Sequence, residues 1–227
     1  QIVHDVCLQN LPVVFCIDRA GLVGNDGETH HGLFDISFLS HIPNMTIMAP
    51  KDGKELVEML KYAIASDYGP VAIRYPKGQI DDFSEVSTDY RIDDKKAEIL
   101  LEGKEVLLIA IGKMVGIAQK ASHYLKEKGY NVNVFNARFA SPLDVSGIKD
   151  LVSKAKCYMT IEDGIKVSGF GSRVVCQMVE GGIQKPCRII GLPSSPIPHG
   201  SIDDLFRKYG MDVQSIANAA MDMIEKL

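Results

Sequence analysis

Val13-Val14-Phe15-Cys16-Ile17 is followed at once by Asp18-Arg19-Ala20-Gly21-Leu22-Val23-Gly24-Asn25-Asp26-Gly27-Glu28-Thr29-His30-His31-Gly32. Five apolar residues ended abruptly by charge and glycine predict a strand buried on both faces, as in a parallel sheet. The glycines beyond it predict the outgoing loop, because they allow positive φ and close approach of the backbone to a ligand. Arg19, Asp26, Glu28, His30 and His31 bring a cation, two carboxylates and two imidazoles into that one loop, a density that packing does not explain. Open parallel sheets bind ligands beyond the carboxyl ends of their strands, so this loop is the first site candidate.

Outward from it, apolar runs and amphipathic stretches alternate along the whole chain. Strands are expected at 13–17, 45–49, 70–74, 105–111, 132–135, 157–161 and 187–190, and helices at 33–41, 114–128, 144–154, 171–179, 202–205 and 213–224. A further helix follows Asp52, where Glu55 three residues on has the spacing of a capping box, and Asp67 lies in the turn that ends it. The alternation specifies an α/β fold with mostly parallel sheets flanked by helices. Residues 79–98, rich in Asp, Ser, Lys and Glu, read as a solvated linker, which puts one domain at 1–80, the linker at 81–98 and a second domain at 99–227. The second unit looks complete and the first short of strands. Residues 1–10 are helical in pattern but open without a methionine or a cap, so the chain is expected to be a fragment.

The 227 residues are 46% hydrophobic and 24% charged, as in an average soluble globular protein. A formal net charge of −4 and the lack of a basic block argue against a nucleic-acid surface, while a few arginines still suffice for a small anion. Five cysteines without CxxC spacing predict reduced, buried thiols in a cytoplasmic protein rather than disulfides or a zinc site, and no metal set is expected. No apolar run approaches the eighteen or so residues of a membrane span.

Arg19 lies just past one strand and Arg74 ends another; if the two strands run parallel, both guanidiniums reach one rim. Two planar forks there suit a phosphate; pairing of each arginine with a carboxylate such as Asp18 or Asp35 is the equal alternative. His30 and His31 are adjacent, so their side chains diverge and one of them can face a pocket to hold or relay a proton. Asp26, in Asn25-Asp26-Gly27, has the composition of a turn. The glycines of Ser168-Gly169-Phe170-Gly171-Ser172 open a helix that could bind an anion, although close helix-to-sheet packing or an interface is the better reading. Pro193 to Gly200 form a proline-pinned segment in which His199 reads as structural.

The passage from Asp18 to Asp52 closely resembles the 1-deoxy-D-xylulose-5-phosphate synthases, a family of transketolase-like thiamine-diphosphate enzymes. Ala72-Ile73-Arg74-Tyr75-Pro76-Lys77-Gly78, Glu162-Asp163-Gly164, Gly191-Leu192-Pro193 and Ile197-Pro198-His199-Gly200 fit the same family in the same order, and Ser194-Ser195-Pro196 departs from it. The resemblance implies decarboxylative joining of pyruvate to glyceraldehyde 3-phosphate, thiamine diphosphate and Mg2+ as cofactors, and a homodimer. It implies that Arg19 and Arg74 bind the acceptor's phosphate, that His30 faces the thiazolium-bound substrate and that Asp26 helps to hold the acceptor; it gives His31 no role. It further implies that residues 1 to about 80 are part of a pyrimidine-binding domain, that the C-terminal transketolase domain follows, and that the main cofactor and metal ligands lie upstream. The chain alone should then be inactive. The alternatives are a subunit of a split transketolase or a β-like partner of a 2-oxoacid dehydrogenase, and a non-catalytic α/β interaction module.

Overall fold

The computed structural model describes residues 1–65, 69–79, 90–92 and 95–227. Asp67 and most of the expected linker lie outside the described residues. Two sheets organise the chain, and in each the central strands are parallel.

The first sheet has the order β1-β3-β2-β7. Strands β1 (Val14–Ile17), β2 (Thr46–Met48) and β3 (Val71–Arg74) are parallel, with β3 in the middle and every residue of it buried. The fourth strand, β7 (Phe139–Ser141), comes from the second half of the chain and pairs antiparallel with β2 through Ile47 and Met48. Periodicity could not reveal it, because three residues carry too little pattern to register. Phe139 is fully buried and meets Tyr62 edge-on at 6.1 Å.

The second sheet, of order β4-β6-β5-β8-β9, holds β4 (Glu98–Leu101), β5 (Val106–Ala110), β6 (Val132–Asn136), β8 (Cys157–Ile165) and β9 (Cys187–Leu192). All neighbours are parallel except the edge strand β4, which pairs antiparallel with β6 where the sequence suggested the end of a linker. Every residue of β5 and β8 is buried. Helices α1 (Asp35–Leu39) and α2 (Gly53–Ala65) belong to the first half, and α3 (Met114–Glu127), α4 (Val145–Lys154), α5 (Phe170–Glu180), α6 (Ile202–Lys208) and α7 (Val213–Glu225) to the second. The opening stretch is a π-helical turn, Ile2–Cys7.

Polar side chains fix the helix starts. Asp144 accepts the Gly147 N–H at α4, and Asp212 accepts those of Gln214 and Ser215 at α7. Replacing Asp212 by alanine is expected to lower the urea-unfolding free energy by about 1 kcal/mol. At α2, Asp52 accepts the Glu55 N–H at 2.8 Å, but Glu55 does not complete a capping box. Its carboxylate instead takes the Lys51 N–H at 2.7 Å, Lys51 Nζ at 3.1 Å and Arg138 Nε at 2.7 Å. Glu98 shares both cations, so two acids and two bases from opposite halves of the chain neutralise one another in the interior.

Two of the five thiols depart from expectation: Cys16 and Cys176 are exposed, whereas Cys7 and Cys157 are buried and Cys187 half-buried, all of them free. Cys16 sits on the edge strand of its sheet, which leaves one side uncovered. Among the described residues no helix is long and apolar enough to cross a membrane.

Candidate functional site

Strands β1 and β3 are adjacent and in register with Ile17 opposite Arg74, so residues 18–32 and 75–78 leave the sheet at one rim. The loop closes on itself: Gly21 and Gly32 exchange two backbone hydrogen bonds of 2.7 and 2.9 Å, and Ala20 donates to the Tyr75 carbonyl at 3.0 Å. Gly21 has φ +75°, and a side chain there would collide with the Asp163 carboxylate. Between the closing pair, a 3-10 turn (Gly24–Asp26) is followed by the His30 N–H bonding to the Gly27 carbonyl at 3.0 Å. The Gly200 N–H reaches the Gly24 carbonyl at 3.4 Å, so the proline-pinned segment backs the loop.

The turn presents Asp26 outward between two cations. Its Oδ2 is 2.6 Å from Lys77 Nζ and 3.5 Å from Arg19 Nη1, and the side chains of Arg19 and Lys77 are about half exposed. The Lys77 hydrogen bond, with the charges of Lys77, Arg19 and His30, holds the Asp26 carboxyl below the ordinary aspartate range despite slight desolvation, so it stays ionised at neutral pH. His30 is exposed on the same loop, its Nδ1 2.9 Å from Thr29 Oγ1. His31 turns inward, and its Nδ1 accepts the Val23 N–H at 3.1 Å.

Arg74, expected to offer a fork to a phosphate, is not exposed on this rim with Arg19. It ends the central strand and is 2% exposed, with Nε 2.6 Å from Asp35 Oδ2 and Nη1 2.6 Å from Asp163 Oδ1. Burial alone would lower its pKa, but the charges of Asp163 and Asp35 outweigh burial and hold it above the ordinary arginine value. The arginine lies beneath the site loop and joins α1, β3 and β8. The Asp35 pairing matches one alternative that the sequence left open; Asp163 was not anticipated. Lys77, which the sequence reading passed over, supplies the second exposed cation. The signal was available, because a residue that ends a central strand is covered by its neighbours, whereas one three residues further on is free of the sheet.

Glu162 and Asp163 lie within β8, not after it, and the β8–β9 register shifts between Ile161 and Ile165. Glu162 is fully buried; its two oxygens accept the Phe170 and Gly171 N–H groups at 2.9 and 2.8 Å. The glycine-rich start of α5 is therefore occupied by an internal carboxylate, in keeping with close helix-to-sheet packing. Among the described residues no three His, Cys, Asp or Glu side chains are arranged to hold a metal ion.

The chain matches two protein families: residues 1–81 the transketolase pyrimidine-binding domain, and residues 95–216 the transketolase C-terminal domain. It is 44% identical over 227 residues to the 1-deoxy-D-xylulose-5-phosphate synthase of Caldanaerobacter subterraneus subsp. tengcongensis, covering 100% of this chain and 36% of that protein. With the synthase of Thermomicrobium roseum the identity is 42% over 221 residues, covering 97% of this chain and 35% of the relative. The chain thus spans about a third of the length of these curated relatives. Among solved structures, a split-gene transketolase described as an inactive β4 tetramer superposes with a TM-score of 0.89 at 24% identity, covering 99% of this chain and 71% of that one. That likeness concerns the fold.

Proposed function

This chain belongs to the transketolase family, and from that premise we propose that it is the C-terminal part of a 1-deoxy-D-xylulose-5-phosphate synthase, a thiamine-diphosphate-dependent transferase. The intact enzyme would join pyruvate to glyceraldehyde 3-phosphate with loss of carbon dioxide. The observation that carries this reading is the exposed rim at which Lys77, just past β3, meets Arg19, Asp26 and His30 of the loop that follows β1.

In this proposal Arg19 and Lys77 receive the acceptor's phosphate, Lys77 taking the place first expected of Arg74. Their half-exposed cations can exchange the Asp26 carboxylate for a dianion at little desolvation cost. Asp26, kept ionised, is then free to accept a hydrogen bond from an acceptor hydroxyl. His30 would hold or move a proton where the substrates react. Among the described residues no three His, Cys, Asp or Glu side chains are arranged for Mg2+; in this proposal thiamine diphosphate, which supplies the carbanion chemistry, and its metal would be held by other segments of the intact enzyme. This chain by itself is expected to show no turnover. A cytoplasmic homodimer remains part of the proposal.

In the intact enzyme, Lys77→Ala is expected to raise the KM for glyceraldehyde 3-phosphate by roughly 10- to 100-fold, the loss of one charge-assisted contact, with the KM for pyruvate unchanged. Steady-state kinetics with each substrate varied in turn checks this. Equal weakening for both substrates would remove the phosphate role, and absence of product from the intact enzyme would remove the proposed activity.

A further inference from the structure

We infer that His31 is a positioning residue of the candidate site: its Nδ1 holds the arms of the loop 21–32 together so that Asp26 and His30 face outward as a pair. The consequence for acceptor use rests on the function proposed above; the consequence for loop order does not. The two histidines divide the work because consecutive side chains diverge. His30 faces solvent, and His31 is 9% exposed beneath the loop.

The geometry of the loop singles out this ring. Its base is closed by the reciprocal Gly21–Gly32 bonds, and its tip is shaped by the turn bonds from Gly27 to Gly24 and from His30 to Gly27. Val23 lies on the ascending arm and His31 on the descending arm, and the 3.1 Å bond from the Val23 N–H to Nδ1 ties the two directly below the segment that carries Asp26. Val23 is 4% exposed, so without this acceptor its N–H would be a buried orphan.

The other ring nitrogen shows what the histidine is for. A ring that accepts at Nδ1 carries its proton on Nε2, and Nε2 is buried with no hydrogen-bond partner among the described residues. An unpaired buried donor is unfavourable, so an apolar side chain of similar size would serve packing better than histidine does. What leucine cannot do is accept the Val23 N–H. Asparagine can, because its Oδ1 is bonded to Cγ as Nδ1 is, and so it falls at the same place.

The experiment compares His31→Leu with His31→Asn in the intact enzyme, by hydrogen–deuterium exchange of peptides covering residues 21–32 and by steady-state kinetics. His31→Leu should speed exchange in that loop about tenfold or more and lower kcat/KM for glyceraldehyde 3-phosphate by a similar factor, with the pyruvate KM unchanged; His31→Asn should stay within about threefold of the parent in both. Equal behaviour of the two variants in exchange would overturn the inference. If the intact enzyme makes no product, the proposed function fails while exchange still decides the role of His31. Should His31→Leu not fold, neutron diffraction of the unsubstituted enzyme decides: deuterium on Nε2 and none on Nδ1 supports the inference, and deuterium on Nδ1 overturns it.

Discussion

Replacing Arg74 by methionine is expected to cost about 3–5 kcal/mol of folding stability, a large part of the 5–15 kcal/mol by which domains are ordinarily stable. The reason is what the guanidinium leaves behind. Asp35 and Asp163 each hold it at 2.6 Å, and their side chains are 8% and 2% exposed, so both carboxylates would face the interior without a counter-charge. Methionine keeps much of the volume and so isolates the charge effect from a cavity effect. Adding Asp35→Asn and Asp163→Asn to the same chain should recover most of the loss, because neutral amides no longer require a cation. Urea unfolding of the single and combined variants measures both. A methionine variant that unfolds at the parent's urea midpoint while selectively losing the phosphorylated acceptor would restore Arg74 to the phosphate site.

How far the sequence could be read follows from how much each feature depends on its own residues. Strand β1 and the loop after it were legible as elements because an apolar run and a glycine-rich exit are local properties. Burial on both faces was not borne out: β1 is an edge strand, half-buried with Cys16 exposed, because among the described residues no strand covers its outer side. The cap Asp52 was legible because its side-chain oxygen meets a free N–H group three residues on; Asp144 and Asp212, not singled out from sequence, cap their helices in the same way. Strands β7 and β4 were not legible, since each exists by pairing with a partner distant in sequence. The site divided along the same line. Arg19, Asp26 and His30 come from one loop and share one exposed rim, whereas Arg74 is buried between Asp35 and Asp163, the latter 89 residues away. An arginine that ends a strand can serve a ligand or a buried acid, and only the neighbouring strand tells which. Glu55 gives the same lesson: its spacing from Asp52 was right, but Lys51 and Arg138 claim its carboxylate.

Glu162 should make the chain lose stability as pH rises from about 5 to 7. Burial pushes its pKa up from 4.5 to about 7, against the opposing pull of the Gly171 and Phe170 N–H groups and of Arg74, and with Asp163 adding to the rise. The folded state then binds a proton between those values that the unfolded state has already released. Below the unfolded pKa both states are protonated and the group contributes nothing; through the window stability falls; above the folded pKa it levels off about 3 kcal/mol lower. Exposed carboxylates such as Asp26 and Asp204, whose pKa values are lowered by partners, act in the opposite sense and at more acid pH. Glu162→Gln isolates the effect. The amide loses one of the two N–H contacts at the start of α5, a cost that is the same at every pH, so the quantity to read is the slope of the difference between parent and variant. Urea-unfolding free energies at half-unit steps from pH 5 to 8 should show that difference shifting in favour of the variant by about 3 kcal/mol, with most of the change complete by pH 7.5. A flat difference would mean that Glu162 is ionised throughout, the two backbone donors and Arg74 having overcome its burial. The start of α5 would then be an anion site filled permanently by the protein's own carboxylate.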